Sequence, residues 1–304
     1  MKLNNTPVDI QSSLSNQSHH WKEVMGKYIN DSVQNGITAE IVNSIQKELK
    51  GTLAEAKLAL LPIAALYARP IISNFSVGAL CEGVSGNFYF GANMEFQNTS
   101  LDFTIHAEQA SIVNAMSNGE SAIRSFTVSA PPCGYCLQLM NELKEASTID
   151  ILLSGKPNRS ISEYLPCAFG AKDLGIDGGL SLQNNHNLTL HDSSQNDLLV
   201  EQALIAANCS YAPYTKNYAG IAIRLDSGLI FRGSYLESAA YNTSVLPVLS
   251  AVINLILNGQ SMDAIPEVVL IQRSKSPIDL EESTRIFLNA LTDDKTDLGV
   301  YTAI

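Results

Sequence analysis

Gly78 and Gly220, Gly91 and Gly233, and Glu95 and Glu237 are each separated by 142 residues. Three matches at one offset, set in similar glycine-bounded apolar runs, imply that one folding unit occurs twice in this chain. That constrains the architecture more than any local pattern. Whatever the first unit is, the second must be able to build it from a different set of side chains. The 304 residues, 45% of them hydrophobic and 16% charged, suffice for two such units with buried cores.

The first unit alternates helix and strand signals. Apolar residues recur at helical spacing over 19–35 and 38–50, and Gly51 is the expected stop. Thr52-Leu53-Ala54-Glu55 fits a capping box that opens a helix running toward Tyr67, ahead of Pro70. Residues 73–80 and 87–90 are expected strands joined by a turn at Gly83 and Gly86. A helix over 106–116, a strand over 125–130, a helix over 133–144 and a strand over 149–154 follow. Such alternation implies a layered α/β unit with a mostly parallel sheet. The run 176–198 is rich in Asn, Gln, Ser, His and Asp and reads as a linker, with His186 and His191 as exposed loop residues. The expected organisation is a helical segment over 1–51, a catalytic unit over 52–175, the linker over 176–198 and a second copy over 199–304.

The charge balance, 19 basic against 30 acidic residues for a net −11, argues against a nucleic-acid partner. Polyanion binding relies on Lys and Arg to displace counterions. No apolar run reaches the roughly 18 residues of a membrane span, and the N-terminal residues lack the apolar core of a signal peptide. A cytoplasmic protein is the expectation. Five cysteines, an odd number, do not suggest a disulfide framework. In a reducing compartment, the closely spaced Cys133 and Cys136 are free to bind metal, whereas Cys81, Cys167 and Cys209 are expected in the core.

The chemistry concentrates in His106-Ala107-Glu108 and Pro132-Cys133-Gly134-Tyr135-Cys136. One imidazole and two thiols supply three zinc ligands, and a catalytic zinc site keeps its fourth position open for water. Two cysteines three apart at a helix start can face one ion, and the unpaired N–H groups there favour their thiolates. Glu108 sits near enough to exchange protons with that water. Its alternative is a first-turn carboxylate favoured by the helix dipole, and an isolated C-x-x-C could be a redox pair. Adding 142 to His106, Glu108, Cys133 and Cys136 gives Val248, Ser250, Lys275 and Ile278, and the sequence holds no histidine after His191 and no cysteine after Cys209. Only the first unit can hold this metal.

The H-x-E…P-C-x-x-C arrangement is the signature of the zinc deaminases. With Asn74-Phe75-Ser76-Val77-Gly78-Ala79, Gly91-Ala92-Asn93-Met94-Glu95-Phe96, Tyr164-Leu165-Pro166, Ala168-Phe169-Gly170 and Gly233-Ser234-Tyr235-Leu236-Glu237, the chain resembles the long, two-domain bacterial cytidine deaminases over nearly its full length. The resemblance implies a duplicated three-layer αβα fold with a helical N-terminal segment and a second copy lacking the metal site. It implies one Zn²⁺ per subunit on His106, Cys133 and Cys136, with Glu108 as proton shuttle. The implied reaction is hydrolysis of cytidine and 2′-deoxycytidine to uridine and 2′-deoxyuridine, with release of ammonia, in pyrimidine salvage. Asn93, Met94 and Glu95 would bind substrate, Asn93 and Glu95 at the ribose 3′-hydroxyl, and Phe75 would line the base pocket. The implied assembly is a homodimer with shared sites, in which Phe169 packs against the pyrimidine held by the other subunit and residues 235–237 approach the partner's sugar pocket.

Two rival readings remain. A nucleotide or polynucleotide deaminase needs phosphate-holding Arg or Lys, and none stands beside Asn93, Glu95 or Glu108 in the sequence. A structural zinc protein needs a fourth protein ligand, for which Cys167 is the candidate.

Overall fold

The computed structural model describes residues 18–28, 36–177, 179–180, 183–190, 197–262, 265–292 and 295–304. It begins with helices α1 (His19–Tyr28), α2 (Ala39–Leu49) and α3 (Leu53–Ala65). Trp21, Val24 and Met25 are buried on one face of α1, the spacing of an amphipathic helix. The Trp21 indole donates to the Ala59 carbonyl at 2.9 Å, pinning α1 to α3. The helix expected over 19–35 is seen as far as Tyr28, and residues 29–35 lie outside the described ones. At the end of α2, Lys50 rather than Gly51 takes the left-handed position, with φ 53°. Gly51 N–H then closes the cap on the Gln46 carbonyl at 3.2 Å. The capping box of α3 is formed: Glu55 N–H donates to Thr52 Oγ1, and Thr52 N–H to Glu55 Oε2 at 2.7 Å.

The first sheet has the order β1-β3-β2-β4-β5-β6. Its strands are β1 (Gly36–Ile37), β2 (Gly78–Gly83), β3 (Phe88–Ala92), β4 (Ile123–Val128), β5 (Asp150–Leu153) and β6 (Arg159–Ser160). The expected mostly parallel sheet is corrected, because only β4 and β5 pair in parallel. A tight turn through Gly86, at φ 84°, makes β2 and β3 antiparallel. Helix α4 (Ala107–Ser117) then carries the chain over β2, so β4 lands beside a strand running the opposite way. Residues 73–77, expected as strand, form a loop, and β1 is an edge strand that no sequence pattern announced.

Two glycines fix the layering. Gly78 lies opposite Ala92 and Ala79 opposite Gly91, and opposed residues share a face of the sheet. A Cβ on Gly78 would strike the backbone of Leu61 and Ala65 in α3, whereas one on Gly91 would strike Ala107 and Ser111 in α4. Helices α3 and α4 therefore cover opposite faces, which makes the unit αβα.

The second half repeats this arrangement. After α6 (Ile161–Tyr164) come α7 (Leu198–Asn208), β7 (Ala219–Arg224), β8 (Ile230–Ser234), α8 (Pro247–Leu257), β9 (Glu267–Arg273), α9 (Glu281–Thr292) and β10 (Asp297–Ala303). The sheet order is β10-β9-β7-β8. Gly220 abuts Ala206 and Ala207 of α7, and Gly233 abuts Pro247 and Ala251 of α8. Helices α4 and α8 pack on each other between the sheets, and Asn254 Nδ2 donates to Ser117 Oγ at 2.7 Å across that seam. One apolar core runs through both halves.

The segment read as a linker is tied down where it is described. Thr189 and Ile304 exchange backbone hydrogen bonds at 3.0 and 2.9 Å, and Leu188 is buried in a second apolar cluster under β7 and β9. His186 is not the exposed loop residue expected. Its ring stacks on Tyr218 at 3.5 Å, and its Nε2 lies 2.7 Å from the Ser210 carbonyl. His191 lies outside the described residues. Of the three cysteines expected in the core, Cys81 is buried, Cys209 half-buried and Cys167 exposed, with φ 59°.

Candidate zinc centre

Two helix N-termini meet at one point. His106 is the N-cap of α4, and Cys133 is the N-cap of α5 (Gly134–Met140), whose third residue is Cys136. His106 N–H donates to Gln109 Oε1 at 2.9 Å, which fixes the turn that aims the imidazole. His106 Nδ1 stands 3.4 Å from Cys133 Sγ and 3.2 Å from Cys136 Sγ, and the two sulfurs are 3.7 Å apart. A tetrahedral zinc with bonds of about 2.3 Å to sulfur and 2.0–2.1 Å to nitrogen places its donors roughly 3.5–3.8 Å apart. The triangle matches within a few tenths of an ångström, so the donor set fits zinc. Among the described residues it is the one cluster of three such donors. Cys167 is not part of it.

The two sulfurs share one hydrogen bond, and it drives their pKa values apart. Cys133 is drawn down to about 3 by its hydrogen bond with Cys136 and then by His106, while Cys136 is pushed well up by sharing that bond and by burial. The thiolate beside it raises the His106 imidazole above its ordinary value. Glu108, buried in the first turn of α4, has Oε2 at 3.3 Å from Cys136 Sγ. Burial raises its carboxyl above the usual range.

His106, Glu108 and Cys133 border a cavity of about 250 Å³, whose opposite wall carries Ser73, Phe75, Asn93 and Glu95. Asn93 and Glu95 are already engaged in shaping that wall. Asn93 Oδ1 accepts from Val77 N–H at 2.8 Å, and its Nδ2 donates to the Phe75 carbonyl at 2.9 Å. Glu95 accepts from the N–H groups of Ile72 and Ser73 at 2.7 and 2.8 Å, and from the Ser73 hydroxyl. Burial alone would raise the Glu95 carboxyl, but these bonds outweigh it and hold it below its ordinary value. Phe75 stands at the mouth, 60% exposed.

Two other expected site residues lie elsewhere. The Met94 side chain is fully buried and not on the cavity wall. Its backbone pairs with Ile105 and so ties the Asn93–Glu95 stretch to the approach of His106. Phe169 is absent from this chain's cavity and 48% exposed, its carbonyl accepting from Gln138 and Asn141 at the far end of α5. Sequence reasoning passed over Ser73, whose Glu95 bonds are tertiary. It also passed over Tyr135, which stands between the two cysteines and stacks on His106 with ring centroids 5.6 Å apart. None of the described residues lining the cavity is Lys or Arg. Arg69 nevertheless runs alongside, its backbone bonded to Asn93 and Glu95, a neighbour invisible to a search along the sequence.

The second half has no counterpart of the donors. Helices α4 and α8 stand 140 residues apart rather than 142, because the loop after Glu237 is two residues shorter than that after Glu95. The residues corresponding to His106 and Glu108 are thus Leu246 and Val248, a correction to the uniform offset. Val248 is fully buried, so the second copy has apolar packing where the first has a carboxylate.

Two family models, both of the cytidine and deoxycytidylate deaminase zinc-binding region, match residues 54–151 and 161–285 respectively. A cytidine deaminase of Aliivibrio fischeri is 39% identical over 94% of this chain and 96% of its own length. That of Proteus mirabilis is 43% identical over 84% and 85%, and that of Histophilus somni 45% over 79% and 78%. A duplicated αβα fold with a His-Cys-Cys centre and a buried glutamate beside it defines a zinc-dependent deaminase. This chain belongs to the cytidine and deoxycytidylate deaminase family, in its long, two-domain form.

Proposed function

We propose that this protein hydrolyses the 4-amino group of cytidine and 2′-deoxycytidine, yielding uridine or 2′-deoxyuridine and ammonia, a step of pyrimidine salvage. The observation that carries the reading is the placing of Glu108 beside the His106–Cys133–Cys136 triangle, on the wall of a cavity closed opposite by Asn93, Glu95 and Phe75. His106, Cys133 and Cys136 would hold the zinc, which would supply the Lewis acidity for activating water. Glu108 takes one proton of the attacking water and delivers it to the ring nitrogen N3, then takes the second from the resulting 4-hydroxyl and delivers it to the departing amine. The low-dielectric setting that raises its pKa keeps both transfers within reach. Asn93 and Glu95 hold the sugar, and a carboxylate there accepts from hydroxyls and repels phosphate.

Glu108→Gln tests this. Zinc content and fold should survive while kcat falls about 10²–10⁴-fold; retained turnover removes Glu108 from the mechanism. Cytidine should be turned over far better than its monophosphate. The reverse preference would transfer the reading to a nucleotide deaminase and make Arg69 the phosphate ligand to examine.

The active unit is a homodimer with sites completed across the interface, and its compartment is the cytoplasm, where thiolate ligands stay reduced. Support for the dimer comes from Ile72, Phe75, Leu101 and Phe169, apolar side chains 48–69% exposed. Mixing Phe169→Ala subunits with Glu108→Gln subunits should give mixed dimers with one intact site each. Random pairing puts the recovery at roughly a quarter of wild-type activity. No recovery despite demonstrated exchange would mean self-contained sites.

A further inference from the structure

Among its described residues the second half has no cluster of metal donors, yet it grips the helix that carries two of the three donors. Helix α5 is only seven residues long, too short to be stable by itself. Both its ends are tied to the second half. At the N-terminal end, the Tyr135 hydroxyl donates to the Asn242 carbonyl, while the Tyr135 ring lies on His106. Just beyond the C-terminal end, Glu142 is 1% exposed. Its Oε1 accepts from Ala239 N–H at 2.7 Å, and its Oε2 accepts from the hydroxyls of Tyr214 at 2.6 Å and Tyr211 at 3.3 Å. The receiving loop is itself bonded into a fixed shape. Tyr241 N–H donates to Ser238 O, Ser244 N–H to Tyr241 O, and Ser238 N–H to Ser244 Oγ.

We infer that the loop Ser238–Ser244 of the second half is a brace for the zinc centre, with Tyr135 and Glu142 as positioning residues that hold Cys133, Cys136 and His106 in register. The two attachment points span α5, so the helix cannot slide or tilt without breaking one of them. Tyr135 couples the brace to all three donors, because it lies between the cysteines in sequence and against the imidazole in space. This gives the degenerate half a function: it holds a coordination geometry that it has lost the means to form. The inference rests on His106, Cys133 and Cys136 being the zinc ligands.

The test uses the zinc-loaded full-length enzyme and its Tyr135→Phe and Glu142→Ala variants. Lys57→Met, which breaks the Lys57–Glu82 ion pair far from α5, is the control for general destabilisation. Zinc release to an excess of a chromogenic chelator is followed in each, and the visible spectrum of the cobalt-substituted forms is recorded. Groups that orient metal ligands typically contribute 10–100-fold to metal affinity. Tyr135→Phe keeps the ring and its stacking and loses only the tie to Asn242, so it should fold normally and release zinc about 10-fold faster, with shifted cobalt bands. Glu142→Ala should do the same more strongly, and Lys57→Met should match wild type in both readouts. Wild-type release and spectra in a folded Tyr135→Phe would overturn the brace while leaving the site intact. A wild-type protein without stoichiometric zinc, or a Cys133→Ala variant with full zinc, would instead overturn the ligand assignment and the brace with it.

Discussion

The two halves share a small set of packing and capping positions and differ at the metal donors, and that division separates fold from chemistry. Gly78 and Gly220 press on α3 and α7; Gly91 and Gly233 press on α4 and α8. Glu95 accepts from Ile72 N–H, Ser73 N–H and the Ser73 hydroxyl, and Glu237 accepts from Tyr214 N–H, Thr215 N–H and the Thr215 hydroxyl. Asn114 Nδ2 donates to the Phe90 carbonyl and Asn254 Nδ2 to that of Arg232, each at 2.8 Å. The left-handed residue Asn74 has its counterpart in Lys216. Apart from the bonds of the Ser73 and Thr215 hydroxyls to Glu95 and Glu237, which join side chains, these contacts involve backbone and shape the fold in both halves. What differs is the N-terminal turn of the inner helix: His106 and Glu108 against Leu246 and Val248. Burying a carboxylate with one weak sulfur contact costs stability, whereas burying valine adds to it. On the proposed mechanism, the first half retains the unfavourable residue because Glu108 carries the protons of the reaction.

If that division is right, the glycine pairs must be equally intolerant. Gly91→Ala and Gly233→Ala each drive a methyl into helix backbone, where no side chain can move aside. Each should lose at least the roughly 1–3 kcal/mol typical of overpacking, measured by urea unfolding. A well-tolerated Gly233→Ala beside a crippled Gly91→Ala would mean the second half no longer relies on the shared packing.

The carboxylate pair is sharper still. Glu95→Gln and Glu237→Gln both replace a charged acceptor of three hydrogen bonds by a neutral one, and each should cost on the order of 1–3 kcal/mol. Their kinetics should diverge. Glu95→Gln should also raise KM for cytidine, because its loop forms the cavity wall, whereas Glu237→Gln should leave KM unchanged in this chain's own site. A rise in KM for Glu237→Gln would support its approach to the partner's sugar pocket.

The metal donors and the duplication were legible because both are written in short-range spacing: Cys133 and Cys136 within one helical turn, His106 and Glu108 within another. The α3 capping box was legible for the same reason. Strand direction was not, since it depends on α4 stepping over β2, a property of the whole connection. The two-residue shortening after Glu237 was equally invisible, as a loop change leaves no periodic trace. The surroundings of Met94, His186 and residues 188–190 were not legible because their partners Ile105, Tyr218 and Ile304 are tertiary neighbours. The second task of Asn93 and Glu95 was hidden for that reason: the amide and carboxylate expected to meet substrate also hold residues 72–77.

That last point has a consequence in acid. The Glu95 carboxyl sits below its ordinary value of 4.5 in the folded protein, so it contributes stability that is complete above that value and is lost as pH falls through the folded pKa. Ser73→Ala removes the hydroxyl donor and leaves the two N–H donors. The variant should be less stable than wild type at neutral pH by about 1 kcal/mol. Its carboxyl should be less depressed, so it has less pH-dependent stability to lose, and the two unfolding free energies should converge as the medium is acidified below about pH 4. Curves that stay parallel would mean that Ser73 acts through packing rather than through the charge of Glu95, and the staple would then be neutral in origin in this half.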